Sequence, residues 1–413
     1  MTGPDPLGGL GSPAPHHPPP AAPASGPAPQ RLVATGPPPL RKTPTAVALV
    51  LVLGAFFIAQ SWLGDWDMQE PLAIFRLGAL NWSAVLAGDV FRLGSYSFLH
   101  FGLPHFLLNA WALWILMRLI ESAYGSVSAL GLYAISVIAG GLGSTFSALA
   151  GQNPYLLAAG ASGGIAGLFG AYVALWLRLR KRLPPEASRA ALRMLVANFG
   201  LNVLIALLAS ANGTALDNSA HLGGLAAGLL FGLLAPLAVL PRRFWSRPAQ
   251  VALVLAAFAL ASMEGAAVAR AVHPHTRLLR GEGCSAETPW MLVPVIGLVA
   301  VDESAPAWLQ LPLAAHVGVA VSPGGIGLRA LIARSSAPLL IAPGSEAVPI
   351  GDRTWLRLRD QGNNPEEEVQ ILSARQGTGS LLIKVLCDTE KCHGAMADEA
   401  AIQLARTLRA DPE

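Results

Sequence analysis

The chain has 413 residues, of which 53% are hydrophobic and 13% charged, and its formal net charge is +3. So apolar a composition excludes an ordinary soluble enzyme, and a small charge whose basic residues fall in particular loops excludes a nucleic-acid surface. A polytopic membrane protein is expected, in which charge reports topology.

Residues 1–44, opening MTGPDPLGGLGSPAPHHPPP, are rich in Pro, Gly and Ala and have no hydrophobic period. Such a segment cannot bury enough surface to offset the entropy of ordering, so a disordered tail is expected. No basic segment runs directly into an apolar stretch at its start, so it is not read as a signal peptide.

From Thr45 the composition changes to long apolar runs, and a hydrocarbon layer of roughly 30 Å takes about 20 helical residues per crossing. Seven spans are expected, at about 45–63, 104–120, 127–150, 160–178, 190–210, 220–240 and 249–270. The loops on one side then hold Arg41 and Lys42, Arg118, the group Arg178 to Arg189, and Arg242, Arg243 and Arg247. The first three loops on the other side hold only Arg76 and Arg92. By the positive-inside rule the N-terminus is cytoplasmic, and an odd number of spans leaves the C-terminus outside. The expected location is a plasma membrane, as in a bacterial inner membrane.

The loop between the first two spans, about 64–103, carries Trp62, Trp66, Trp82, Phe91 and Phe98 at or near it and suits the outer interface. Residues 241–272 hold the seventh span and its flanks. Beyond them, 273–413 is soluble in character and reads as a small extracytoplasmic α+β domain. Its signals are strand-like alternation in HVGVAVS and TWLRLRD, turns at SPGG and DQGNN, and a helical ADEAAIQLARTLR. Two readings of Cys387 and Cys392 stay open, a disulfide in an oxidising compartment or two free thiols. A metal site that adds His393 lacks an evident fourth ligand.

Polar side chains in hydrocarbon are costly unless paired or facing water, so each one in a span is a candidate for function. His105 and Asn109 in PHFLLNAWALW, Ser162 in GASGG and His221 in SAHLGGLAAG stand out. They open the second, fourth and sixth spans, which all start on the same side of the bilayer. Taken singly, GASGG is a helix-packing sequence, Asn109 an interhelical hydrogen-bond partner, and His221 open to a structural or a functional reading alike; their shared depth points to chemistry.

His105 and Asn109 are four apart on one helix face and can serve one ligand. Ser162 starts a helix, where free N–H groups and the positive dipole end favour a developing anion. Gly160, Gly163, Gly164, Gly167 and Gly170, with Gly223, Gly224 and Gly228, let the fourth and sixth spans approach closely. That approach brings Ser162 within reach of His221, so acyl transfer by a Ser–His dyad is expected, with His105, Asn109 and the Ser162 N–H holding the oxyanion. Asp217 lies one turn before His221, near the membrane surface, and is not read as a third member. A metal site of His100, His105 and His221 lacks both an HExxH pattern and a carboxylate ligand, and no cofactor is expected. A channel or transporter would be expected to show paired charges or broken helices near the midplane, and the sequence has neither.

These motifs, in this order, resemble the rhomboid intramembrane serine proteases over about residues 45–240. HFGLPHFLLN is similar to the family's histidine and asparagine pattern, giving His100, His105 and Asn109; GASG gives Ser162; AHLGGLAAG gives His221 with Gly224 and Gly228. Phe91-Arg92 stands where the family has a Trp-Arg pair, and Glu121 with Gly125-Ser126 resembles its turn after the second helix. Where family members often carry an aromatic beside the catalytic histidine, this chain has Ala166. The resemblance implies an all-α six-helix core plus a seventh span, and cleavage of other membrane proteins within or beside a transmembrane segment. Single-span or multi-span membrane proteins are the implied substrates. The alternative is a catalytically weak or inactive scaffold that binds transmembrane helices.

Overall fold

The computed structural model describes residues 43–410 except 152, 154, 212–216, 238–245, 282, 296–317, 326, 336–342, 362–366, 378, 389–391 and 393. Nearly all of the expected N-terminal tail, and His393, lie outside the described residues. The membrane region opens with α1 (Pro44–Leu63), and the expected interfacial loop holds three short helices, α2 (Pro71–Arg76), α3 (Trp82–Leu86) and α4 (Arg92–Ser95). Then follow α5 (Leu103–Tyr124), α6 (Ser126–Ala150), α7 (Ser162–Leu179), α8 (Pro185–Ala211), α9 (Asn218–Leu234) and α10 (Ser246–Val272). Among the described residues, five of these helices, α1, α5, α6, α7 and α10, are long and apolar enough to cross a membrane, and α9 is a shorter apolar helix of 17 residues. Large apolar side chains such as Leu51, Leu107, Trp111, Phe146, Leu230 and Phe258 remain exposed on their outer faces, as lipid-facing positions do.

Helix ends in such a medium need partners for their orphan backbone groups. α1 gets no side-chain cap from Thr43. Its first N–H groups, those of Thr45 and Ala46, instead donate to the Glu121 carboxylate of α5 at 2.9 and 3.0 Å. Gly125, at φ +83°, makes the sharp turn into α6, and Ser126 Oγ donates to the same carboxylate at 2.6 Å. At the far end of α9, Arg178 donates to the carbonyls of Gly232 and Ala235 at 2.8 and 2.7 Å, closing that terminus with a cation.

The glycines divide their work among three neighbours. A methyl at Gly224 or Gly228 of α9 would collide with the Gly163 or Gly167 carbonyl of α7, so these pairs set the α7–α9 seam. Gly164 and Gly223 instead face α6, against Tyr133 and the Ala139 carbonyl. Gly160 faces neither, but His105 and Asn109. Helix α10 seats on small residues in the same way: Leu253 at Gly131, Leu260 and Met263 at Gly94, and Ala267 at Gly78.

The C-terminal region is a separate β-sheet unit. Its larger sheet is antiparallel throughout, in the order β3-β4-β5-β9-β8-β7-β6. In chain order these are β3 (Val293–Pro294), β4 (Gly318–Val321), β5 (Leu328–Ser335), β6 (Glu346–Ile350), β7 (Arg353–Gln361), β8 (Glu367–Gln376) and β9 (Gly379–Asp388). β4 and β7 fall on the two alternating stretches of the sequence, and SPGG forms a turn at Pro323–Gly325. A smaller sheet joins β1 (Arg277–Gly281), β2 (Cys284–Thr288) and β10 (Arg409–Ala410). Helix α11 (Gly394–Thr407) buries Ala397, Ala400, Ala401, Leu404 and Ala405 in a core with Trp355, Leu372, Ile383 and Val385. Cys387 and Cys392 are joined as a disulfide, and Cys284 is buried.

Candidate active site

The four polar residues singled out in the sequence meet at the N-terminal ends of α5, α7 and α9. Ser162 is the first residue of α7, and His221 lies in the first turn of α9. His221 Nε2 is 2.8 Å from Ser162 Oγ. The glycine seam described above is what makes so short a distance possible, because side chains at Gly224 and Gly228 would hold the two helices apart. Both members of the pair are half-buried, so the site is reachable and not sealed.

Asp217 gives one oxygen to its own helix. Its carboxylate accepts from Ala220 N at 2.9 Å and so caps α9, a standard role for Asp at this position. Among the described residues no carboxylate bonds to His221, and the constellation is a pair.

Across from Ser162, the loop that leads into α7 passes over α5. Gly160 adopts φ +135°, and a Cβ there would lie 2.9 Å from both His105 Cε1 and Nε2 and 3.7 Å from Asn109 Nδ2. Only glycine leaves the two side chains open to the space before Ser162. The Phe101 N–H donates to His105 Nδ1 at 3.3 Å, which assigns the ring proton to Nε2, on the side facing Gly160. Asn109 is 7% exposed, and its Nδ2 is buried with no hydrogen-bond partner among the described residues. Buried donors are nearly always paired, so this one, close to the Gly160 turn before Ser162, is available to a ligand. A hydroxyl with a base at hydrogen-bond distance, two side-chain donors and a helix N-terminus together meet the requirements of nucleophilic acyl substitution.

Several residues that position the site were not singled out in the sequence. Gln60 of α1 grips the segment before α5 from both sides: its Nε2 donates to the His100 carbonyl at 2.5 Å and its Oε1 accepts from His100 N at 3.0 Å. His100 itself is fully buried, edge-on to His105 with ring centroids 5.2 Å apart, and so backs the donor histidine. Tyr96 accepts the Gly160 N–H on its carbonyl at 3.0 Å. Leu80 pairs with Ala158 in both directions at 2.9 Å, fixing the same loop from the other side. Gln60 carried a readable signal, a polar side chain near the end of an apolar run; the two backbone contacts carried none. Ala166 is half-buried on the Ser162 face of α7.

Residues 87–237 match the family model of the rhomboid domain. The chain is similar to rhomboid-like protease 5 of Toxoplasma gondii, 36% identical over 174 residues, which are 40% of this chain and 19% of that protein. It is similar to rhomboid protease GluP of Bacillus subtilis, 30% identical over 189 residues, 46% of this chain and 34% of that one. It is likewise similar to rhomboid protease GlpG of Klebsiella pneumoniae, 32% identical over 194 residues, 47% of this chain and 64% of that one. The chain thus spans less than two thirds of the length of each of these relatives.

Proposed function

We propose that this chain, whose residues 87–237 match the rhomboid domain, is an integral membrane protein of that kind and hydrolyses peptide bonds in or next to transmembrane segments of other membrane proteins through a Ser162–His221 dyad. The observation that carries this reading is the 2.8 Å contact between Ser162 Oγ and His221 Nε2, with the unpartnered Asn109 Nδ2 and His105 brought to the same helix ends by Gly160.

In the proposed cycle His221 Nε2 takes the Ser162 proton, and the alkoxide attacks the scissile carbonyl carbon. Charge moves onto the carbonyl oxygen, where His105 Nε2–H, Asn109 Nδ2–H and the Ser162 N–H receive it. As the tetrahedral adduct collapses, the C–N bond breaks and the imidazolium protonates the leaving amine. Water, deprotonated by His221, then attacks the acyl-serine ester; as the C–Oγ bond breaks, the imidazolium returns the proton to Ser162 Oγ and the carboxylic acid product leaves. Every step is a proton or acyl transfer among these groups and water, so the cycle calls for no cofactor.

The wider proposal keeps seven spans, a cytoplasmic N-terminus, and an extracytoplasmic C-terminal unit from about 273, with the protease core at 45–240. A disulfide between Cys387 and Cys392 supports an oxidising side for that unit. Purified protein in liposomes with a single-span model substrate tests the reading: cleavage by wild type and none by Ser162→Ala or His221→Ala is expected. A chain that binds the substrate helix and never cleaves it would instead be a scaffold of the same fold.

A further inference from the structure

The C-terminal unit does not hang free of the membrane region. It reaches the loop 151–161, the segment that delivers Gly160 and Ser162 to the site. Gly324 N, in the turn after β4, donates to the Tyr155 carbonyl of that loop at 2.9 Å. Leu157, two residues on, packs against a cluster of Phe75 of α2, Ala84 of α3 and Val293 of the C-terminal unit, against which Trp290 also packs.

The loop's other supports come from α2, α3 and their connection. Asn81 Nδ2 donates to the Leu156 carbonyl at 3.0 Å, Trp82 Nε1 to the Asn153 carbonyl at 2.7 Å, and Leu80 pairs with Ala158. But α2 and α3 are helices of 6 and 5 residues, too short to hold themselves. What fixes them is a buried charge cluster. Arg92 Nη1 closes the end of α2 through the carbonyls of Phe75 and Ala79, both at 2.8 Å, and its Nε donates to Asp89 at 2.9 Å. Asp89 also receives Arg277 Nη2 at 2.6 Å and His275 Nε2 at 2.9 Å, both from the C-terminal unit. Arg277 is 5% exposed, and its Nη1 donates back to the Trp290 carbonyl at 3.0 Å. The Arg92 and Arg277 guanidiniums both lie over the Phe75 ring, at 3.9 and 5.5 Å.

We infer that Arg277 is a positioning residue for catalysis: through Asp89, Arg92 and Phe75 the C-terminal unit braces the loop that sets Gly160 and Ser162 against His105 and His221. The inference rests on the protease reading and adds to it a role for the C-terminal unit other than recruiting substrate. A loop displaced by a fraction of an ångström spoils attack geometry without touching the groups that bind the substrate helix. The effect therefore falls on turnover.

The test uses the full chain in liposomes and a minimal substrate, a bare transmembrane segment with no folded extramembrane domain. Arg277→Ala should lower kcat roughly tenfold or more with KM little changed. Arg277→Lys, which keeps the charge and one donor to Asp89, should recover part of the loss. Gly324→Ala attacks the brace from its other attachment and leaves the buried charges in place: its methyl would meet Pro71 Cβ at 2.5 Å, at a backbone φ of +79°. It should reproduce the kcat loss, and it serves where Arg277→Ala fails to fold. Unchanged kcat in both variants, whether or not KM rises, overturns the inference and leaves the protease reading standing. A wild-type chain that neither cleaves nor reacts at Ser162 overturns both.

Discussion

His221 Nε2 stands 2.8 Å from Ser162 Oγ although the two residues are 59 apart in sequence and sit on different helices. The distance is set by glycine: Gly224 and Gly228 of α9 press on the Gly163 and Gly167 carbonyls of α7. Replacing Gly228 by Ala inserts a methyl into a closed seam, which costs about 1–3 kcal/mol of packing strain. It should also part the dyad. Gly228→Ala is expected to stay membrane-inserted, to unfold at lower temperature, and to lose cleavage out of proportion to its loss of folded protein. Full activity in that variant would contradict the seam's role.

Asn109 Nδ2 has no partner among the described residues, so its removal should cost the transition state and little else. Asn109→Ala is expected to lower kcat by about 10²- to 10³-fold, equivalent to roughly 2.7–4 kcal/mol for one oxyanion donor. KM should hardly move. Steady-state kinetics on the model substrate separates this from a binding role, which would raise KM and spare kcat.

The sequence drew attention to these residues because polar groups are conspicuous in apolar runs. His105, Asn109, Ser162 and His221 each lie in the first turns of a helix, and the structure places all four at the same end of the bundle. What it could not show was the work of contacts with no periodicity. Nothing in GDVFRLGS or in HTRLLR announces that Asp89 and Arg277, 188 residues apart, share a hydrogen bond. The Glu121 carboxylate that caps α1 was readable as part of a turn motif, not as the partner of Thr45 and Ala46. The C-terminal strands were legible where alternation was strict, as at β7. The glycines were read as one packing device, whereas Gly160 serves the pocket and Gly164 and Gly223 serve α6.

Asp89 supplies a pH prediction. Burial alone would raise its carboxyl, but Arg92 and Arg277 outweigh that and hold it below the ordinary carboxylate value of 3.8. His275 is held below its ordinary value of 6.5 by burial, against the pull of Asp89. A depressed carboxyl contributes stability that is fully present above its unfolded pKa and is lost as pH falls through the lower, folded one. Docking of the C-terminal unit should therefore hold at neutral pH and weaken below about pH 4. Asp89→Asn should weaken it already at neutral pH. Protease sensitivity of the 273–295 segment, followed against pH in both proteins, reads this out; an Asp89→Asn profile identical to wild type would contradict it.

The Cys387–Cys392 bond closes a short loop, for which chain entropy gives roughly 2 kcal/mol. Reduction, or Cys387→Ser with Cys392→Ser, should lower the melting temperature of the C-terminal unit. In intact cells neither cysteine should react with a thiol reagent after denaturation unless first reduced. Both reacting without reduction would place the unit in a reducing compartment and contradict the proposed topology.

The dyad is the central claim, and a fluorophosphonate tests it directly because it reacts only with a serine that is already activated. Mass spectrometry of the treated wild-type protein should find a single phosphonyl adduct on the peptide carrying Ser162, absent in Ser162→Ala and abolished or slowed by orders of magnitude in His221→Ala. An adduct elsewhere, or one that forms on Ser162 at the same rate without His221, would contradict the account.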